Sequence, residues 1–347
     1  MSPEGNTMSA GSAPEAAVAA QEAPPAAPET GRGRSWRGLL GSLRGQGLIL
    51  MLALIVVYFW QANDAFLTSN NLLLIGATAS ALGIMALAQT FLIIAGGVDL
   101  SVGSAVALTG VTIGLLFGDG ANIWVASLAG LGVGAGIGVV NGFLAVRMGI
   151  NPLIVSLGTL SFFAGLASQL SDGRTLIVAQ SDFDFVGSGK IAGIPFPLIL
   201  FLGLAAIAWF VQRYTTIGRS IYAIGGNPVA SRLSGLRVDR VLFALYVISG
   251  LSAGVAGVMI TSQLNGASTE VGSTFLLSVV TAVILGGTSL AGGIGGVIGT
   301  IVAVFILQVL QNGFALVGYS SAVQTMALGV VLILAVLLDQ ITRGARR

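Results

Sequence analysis

Long apolar runs, following one another along most of the chain, are what most limit how it can fold. Segments at approximately 47–62, 71–95, 101–117, 123–146, 152–170, 194–212, 241–263, 275–289, 294–315 and 320–338 are predominantly apolar. A helix needs roughly 20 such residues to cross the hydrocarbon core of a bilayer, and there every backbone polar group must be satisfied inside the structure. The expected fold is all-α: a polytopic integral membrane protein with about ten transmembrane helices. Glycine runs bring some segments within a few residues of each other, so broken or re-entrant pieces with eight or nine full spans fit the same pattern. Charged residues are 8% of the chain, against about 25% in a soluble domain.

Those few charges are sorted by loop. With the N-terminus inside and ten crossings, 13 of the 15 Arg and Lys residues fall in the cytoplasm. They are Arg32, Arg34, Arg37 and Arg44 before the first segment, Arg147, five in the loop 213–240, and Arg343, Arg346 and Arg347. Arg174 and Lys190 fall outside, in a loop that also holds Asp172, Asp182 and Asp184. This is the positive-inside bias, and it places both termini in the cytoplasm. Residues 1–45 are rich in Ala, Pro, Glu and Gly, cannot bury a core, and are expected to form a disordered tail. Residues 46–340 make the membrane domain, and residues 341–347 a short basic tail.

The net charge of +2 gives no basis for nucleic-acid binding. With no cysteine and no histidine, the chain lacks disulfides, thiolate chemistry and imidazole acid–base chemistry. A membrane enzyme is thereby disfavoured. Val186 to Ile191, VGSGKI, ends like a phosphate-binding loop but has its first glycine misplaced and Ile191 where Ser or Thr is required. The chain is expected to bind no cofactor itself and not to hydrolyse ATP.

Glycines at four-residue spacing predict close helix packing, since small residues let backbones approach in lipid. Gly130, Gly134, Gly138 and Gly142 form one ladder, Gly250 and Gly254 a second, and Gly295 and Gly299 a third. Asn141-Gly142, ahead of Ile150-Asn151-Pro152, reads as a tight cytoplasmic turn around Arg147, and Asn312-Gly313 reads similarly.

Asp99, in GGVDLSVGS (Gly96–Ser104), has two readings. One is a capping turn, with the glycines ending one helix and Asp99 and Ser101 starting the next. The other is a broken helix lining a translocation path. The segment GGTSLAGGIGG (Gly286–Gly296) shares the pattern GG-x-x-L with it, the sign of a weak internal repeat.

The longest polar interruption runs from Arg213 to Arg240 and carries five arginines with Asp239 as its only acid. At its centre Asn227 suits an N-cap, Pro228 the first helical position and Gly235 the C-terminal stop. A short capped helix of this kind can dock into a partner's groove, whereas a simple anchor for anionic lipid needs no such signals.

Four segments, GGVDLSVGS, INPLIVSLGTL, GRSIYAIGGNPVASRLSGLRV and ILGGTSLAGGIGGVIGT, occur in the order found in permease subunits of ABC monosaccharide importers of the ribose, xylose, arabinose and galactose type. The chain resembles that family over roughly residues 45–340. The resemblance implies a sugar handed over by a periplasmic binding protein to a permease dimer of two copies or two paralogues in the bacterial inner membrane. A separate cytoplasmic ATPase would consume the ATP. It places the ATPase-coupling element on Gly225, Gly226, Asn227, Ala230, Arg232, Leu233 and Gly235, with Ser231 a mild departure from the family pattern. By side-chain type alone, Gln89, Phe91, Asp99, Gln263 and Asn265 are candidates for the translocation path. Two alternatives stand beside this: an ABC permease for another small polar solute, such as a polyol or a furanone-type signal, and an ion-coupled secondary transporter.

Overall fold

The computed structural model describes the backbone of residues 36–344 and the side chains of residues 47–337. Each of the ten apolar segments is helical. They are α1 (Trp36–Ala62), α2 (Ser69–Ile94), α3 (Val102–Gly118), α4 (Ile123–Gly142), α5 (Pro152–Ser171), α7 (Phe196–Tyr214), α10 (Val238–Leu264), α11 (Val271–Leu285), α12 (Val297–Val317) and α13 (Ser321–Gly344). Three more helices lie between them: α6 (Ser181–Ser188), α8 (Thr216–Gly226) and α9 (Pro228–Leu233). α4 continues as a π-helical turn over Phe143–Arg147. Among the described residues, six helices are long and apolar enough to cross a membrane: α2, α4 with its π turn, α5, α7, α10 and α12. The described side-chain portions of α1 and α13, and the whole of α3 and α11, are apolar but shorter. The chain is mostly helical with several membrane-length apolar helices, as expected for an all-α membrane fold.

The tail expected over 1–45 lies largely outside the described residues, but α1 already begins at Trp36. Residues 345–347 of the basic tail are also outside them.

α4 and α10 pack most extensively, for the reason the glycine ladders suggested. A Cβ on Gly134 would meet the backbone of Gly250 and Gly254, and one on Gly138 would meet that of Tyr246 and Val247. Gly130 sits against Thr109 and Ile113 of α3. The third ladder is different. Gly299 packs on the Gly286 carbonyl, but Gly295 precedes α12 and belongs to a turn.

Both Asn-Gly pairs also lie inside helices rather than at turns. Asn141 is in α4 and fully buried, and Asn312 is in α12. In each, the glycine accepts an aromatic neighbour, Phe243 and Tyr246 against Gly142 and Phe59 against Gly313. The asparagine reaches another helix. Asn312 and Asn71 of α2 exchange amide hydrogen bonds of 2.8 and 2.9 Å. An amide buried in an apolar bundle needs such a partner, so the dipeptide's turn signal is overridden by tertiary pairing. The chain reversal sits instead at Met148–Asn151, where Gly149 has φ +70° and Asn151 caps α5 through the Leu153 N–H.

At the end of the bundle where α10 stops, two short strands, β1 (Leu176–Ile177) and β4 (Gly266–Ala267), pair antiparallel. α6 is anchored there by Ser262, whose hydroxyl accepts from Gly187 N at 2.7 Å and donates to the Phe183 carbonyl. A second strand pair, β2 (Lys190–Ile191) with β3 (Ile194–Pro195), leads into α7. The loop 213–240, α8 and α9 lie at the opposite end.

Candidate functional site

Two turns at the basic end share one local design. α2 stops in a Schellman motif: Gly96, at φ +89°, donates to Ile93 O, and Gly97 donates to Leu92 O. α11 stops identically, with Gly287 at φ +89° donating to Ile284 O and Thr288 to Val283 O. The 6→1 and 5→2 bonds satisfy carbonyls that a helix end leaves free, and the left-handed residue is glycine because it has no Cβ penalty. The two segments therefore repeat in structure. Their register sets Gly96 on Gly287, one residue off the GG-x-x-L match, which sets Gly96 on Gly286.

After the first turn, Asp99 is held in a buried knot joining four helices. Its Oδ1 accepts from Ser101 N at 2.9 Å, Ser101 Oγ at 2.6 Å and Asn141 Nδ2 at 3.1 Å, and its Oδ2 accepts from Ser249 Oγ at 2.7 Å. Gln89 Nε2 donates to the Asp99 carbonyl at 2.7 Å and to Ser249 Oγ at 3.1 Å. The Asp99–Ser101 bond is a local turn ahead of α3, whose N-cap, Ser101, has no side-chain capping bond, so the expected capping geometry is not formed. Asp99 and Gln89 are each 1% exposed, and their polar atoms connect helices.

A polar cavity of about 380 Å³ lies toward the other end of the bundle. It is walled by the N-terminal half of α2, the start of α11, the last turn of α10 and the C-terminal half of α12. Gln263, Thr78, Thr274, Ser278, Gln308, Gln311 and Asn312 bring amides and hydroxyls to it, with Leu74, Ala81, Ile260 and Phe275 between them. Volumes of roughly 300–1,000 Å³ with a few polar groups on apolar walls suit small polar ligands. Of the residues named from sequence as path candidates, Gln263 faces this space. Phe91 lines an apolar groove with Leu204, Ile207, Leu245 and Ile248. Asn265 closes α10 at φ +51° and accepts from Val178 N through its carbonyl. Gln308, Gln311 and Asn312 were legible as polar residues three and four apart on an otherwise apolar helix, which puts them on one face.

The loop 213–240 contains more structure than its central helix. α8 buries Ile221 and Ile224 and was not anticipated. The capped helix expected after it is α9. Asn227 Oδ1 accepts from Ala230 N at 2.9 Å, Pro228 occupies the first turn, and Gly235 at φ +83° closes a further Schellman motif with Leu236 N donating to Ser231 O. The face of α9 turned away from the bundle is apolar among arginines: Leu233 is 85% exposed and Val229 65%. Arg232 pairs with Asp239 at 2.6 Å, and Arg147, Arg237 and Arg240 surround the same open cleft. Gly225 faces inward, and Gly226 has open space where a Cβ would be. Between α8 and the helices above it, Tyr222 Oη donates to Gly295 O at 2.6 Å and accepts from Gln212 Nε2 at 2.6 Å. Burial pushes the Tyr222 phenol up, with the Gln212 bond offsetting part of that, so the hydroxyl keeps the proton it donates.

An all-helical membrane bundle with a polar cavity at one end and an exposed, capped, arginine-rimmed helix at the other is the build of a transport permease. Residues 71–336 match the family described as branched-chain amino acid transport system / permease component, and the chain belongs to that family of ABC importer permeases. It is 36% identical to the ribose import permease protein RbsC of Escherichia coli (strain K12) over 315 residues, 90% of this chain and 98% of that one. To RbsC of Bacillus subtilis (strain 168) it is 36% identical over 302 residues, 86% of this chain and 94% of the relative. To the autoinducer 2 import system permease protein LsrD of Escherichia coli O9:H4 (strain HS) it is 34% identical over 299 residues, 83% of this chain and 89% of the relative. No solved structure matches the chain. The chain is thus a transport subunit and not an enzyme, and permeases of this family work with a separate ATPase and a substrate-binding protein. Ion-coupled transport is set aside by that membership.

Proposed function

We propose that this chain forms the membrane path of an ATP-driven importer for a monosaccharide in the bacterial inner membrane. The observation that carries the reading is the polar cavity of α2, α10, α11 and α12, whose amides and hydroxyls suit a polyhydroxylated solute without ionic groups. In this reading the chain crosses the bilayer ten times with both termini in the cytoplasm, as the Arg and Lys distribution supports. It pairs with a second copy or a paralogue. The strand-and-α6 end faces the periplasmic binding protein, and α9 faces the ATPase, with Val229 and Leu233 as apolar contacts and the arginines around them supplying charge complementarity. ATP is held by the ATPase alone. Because the binding protein selects the sugar, the cavity needs only weak affinity, enough to replace water along the path.

The test is ATP-dependent ribose uptake in proteoliposomes holding permease, ATPase and binding protein. Gln311→Leu is expected to lower uptake about tenfold, the loss of roughly 1.4 kcal/mol of stabilisation along the path, with ATPase association unchanged. Arg232→Glu and Leu233→Asp are expected to abolish association. Uptake unaffected by Gln311→Leu sinks the path assignment, and normal association of both loop variants sinks the docking assignment. The relative named for autoinducer 2 supports a furanone-type solute as the second reading, separable by which solute competes with labelled ribose.

A further inference from the structure

The basic loop touches the bundle at one unusually tight place. The last turn of α8 is seated between the Schellman turn that ends α2 and the loop 289–296 that leads into α12. A Cβ on Gly225 would fall on the Ile94 carbonyl and against Gly293 N, so only glycine fits there. The same Ile94 carbonyl accepts from Gly293 N at 2.8 Å, which ties the end of α2 to the loop before α12 directly beneath Gly225. Beside this contact, Gln212 of α7 binds both ends of a short chain. Its Nε2 donates to Tyr222 Oη, and its Oε1 accepts from Val297 N at 3.0 Å, one of the free N–H groups that open α12. Tyr222 in turn holds the carbonyl of Gly295. The next residue, Gly226, meets nothing within 4 Å of its absent Cβ.

We infer that Gly225 is a positioning residue for the transport cycle, the point where movement of the ATPase-facing loop is passed to α2 and α12. Both are among the four helices that wall the cavity: α2 runs from this contact back to Leu74, Thr78 and Ala81, and α12 runs from it to Gln308, Gln311 and Asn312. A displacement of α8 therefore cannot be absorbed locally: the contact is backbone on backbone, and packed interiors shift between discrete arrangements rather than deform. Val229 and Leu233 face outward and receive the partner, whereas Gly225 and Tyr222 face inward and transmit. This inference rests on the docking assignment of α9.

The experiment uses the assembled importer in nanodiscs. Because the chain has no cysteine, Thr274→Cys at the cavity wall can carry a single environment-sensitive bimane, and ATP with vanadate supplies the stimulus. The parent complex is expected to change its emission. Gly225→Ala is expected to lower that amplitude at least fivefold and Tyr222→Phe about twofold, while Gly165→Ala, in α5 with nothing within 4 Å of an added Cβ, leaves it unchanged. In all three, ATPase co-purification stays at the parent level, a result that a merely structural defect in docking does not produce. Full amplitude in Gly225→Ala overturns the inference, as does a parent complex that binds ATPase and gives no signal. Where Gly225→Ala does not fold, Tyr222→Phe decides, and full amplitude there overturns it. Failure of the docking assignment is distinct: it appears as undiminished ATPase association in Leu233→Asp.

Discussion

Asp99 shows how much a single buried carboxylate can organise. A carboxylate buried in an apolar bundle persists only with several donors around it, and Ser101, Asn141 and Ser249 supply them from α3's entry, α4 and α10. Asp99→Ala leaves the Ser101 and Ser249 hydroxyls without that acceptor, while Asn141 Nδ2 keeps only its bond to Ser101 Oγ. Side-chain hydrogen bonds within membranes average about 0.6 kcal/mol, and orphaned buried groups cost about 1–3 kcal/mol. The expected loss is about 2–4 kcal/mol, read as a lowered thermal unfolding midpoint in detergent. Because the cost comes from orphaned partners, Asn141→Leu in the Asp99→Ala background is expected to cost less than Asn141→Leu alone. Additive losses would show that the two side chains are not coupled. From sequence, Asp99 was visible as an unusual acid between apolar helices, but its partners were not. Asn141 lies 42 residues away and Ser249 lies 150 away, and Asn141 sat in a dipeptide that locally signals a turn.

Among the elements, α4 separates its glycines by face. Gly134 and Gly138 touch the α10 backbone, while Gly132 and Gly136 have nothing within 4 Å of an added Cβ. Gly138→Ala forces α4 from α10, an overpacking cost of about 1–3 kcal/mol. Gly132→Ala and Gly136→Ala instead remove backbone freedom from the unfolded chain and are each expected to raise stability by about 0.5–1 kcal/mol. Fluorescence size-exclusion profiles after graded heating distinguish the two faces, and equal effects at all four positions would contradict this packing. The four-residue spacing made the packing face legible. The partner helix was not, since Gly250 and Gly254 lie more than a hundred residues on. α9 was legible because its caps are local: Asn227, Pro228 and Gly235 need no distant residue. α8 was missed because its helix is stabilised by burying Ile221 and Ile224 against the bundle, a tertiary effect.

For the whole molecule, the proposed ten-crossing orientation sets α9 and the strand-bearing end on opposite sides of the membrane. Leu233→Cys and Ile177→Cys, at positions 85% and 77% exposed, give a direct readout in a chain without cysteine. A membrane-impermeant maleimide added to right-side-out vesicles is expected to label Ile177→Cys and to reach Leu233→Cys only after permeabilisation. Labelling of both without permeabilisation would reject the orientation. The apolar runs, the sparse and sorted charges and the local caps determined by themselves that this is an all-helical membrane protein with a basic, capped loop element, because each depends on neighbours a few residues apart or on the bilayer's demand for satisfied backbone. Which polar residues share the cavity, which glycine carries the contact between loop and bundle, and that Asp99 joins four helices were decided only by the tertiary structure. Those contacts join residues tens to hundreds of positions apart, where no local spacing or propensity records which faces meet.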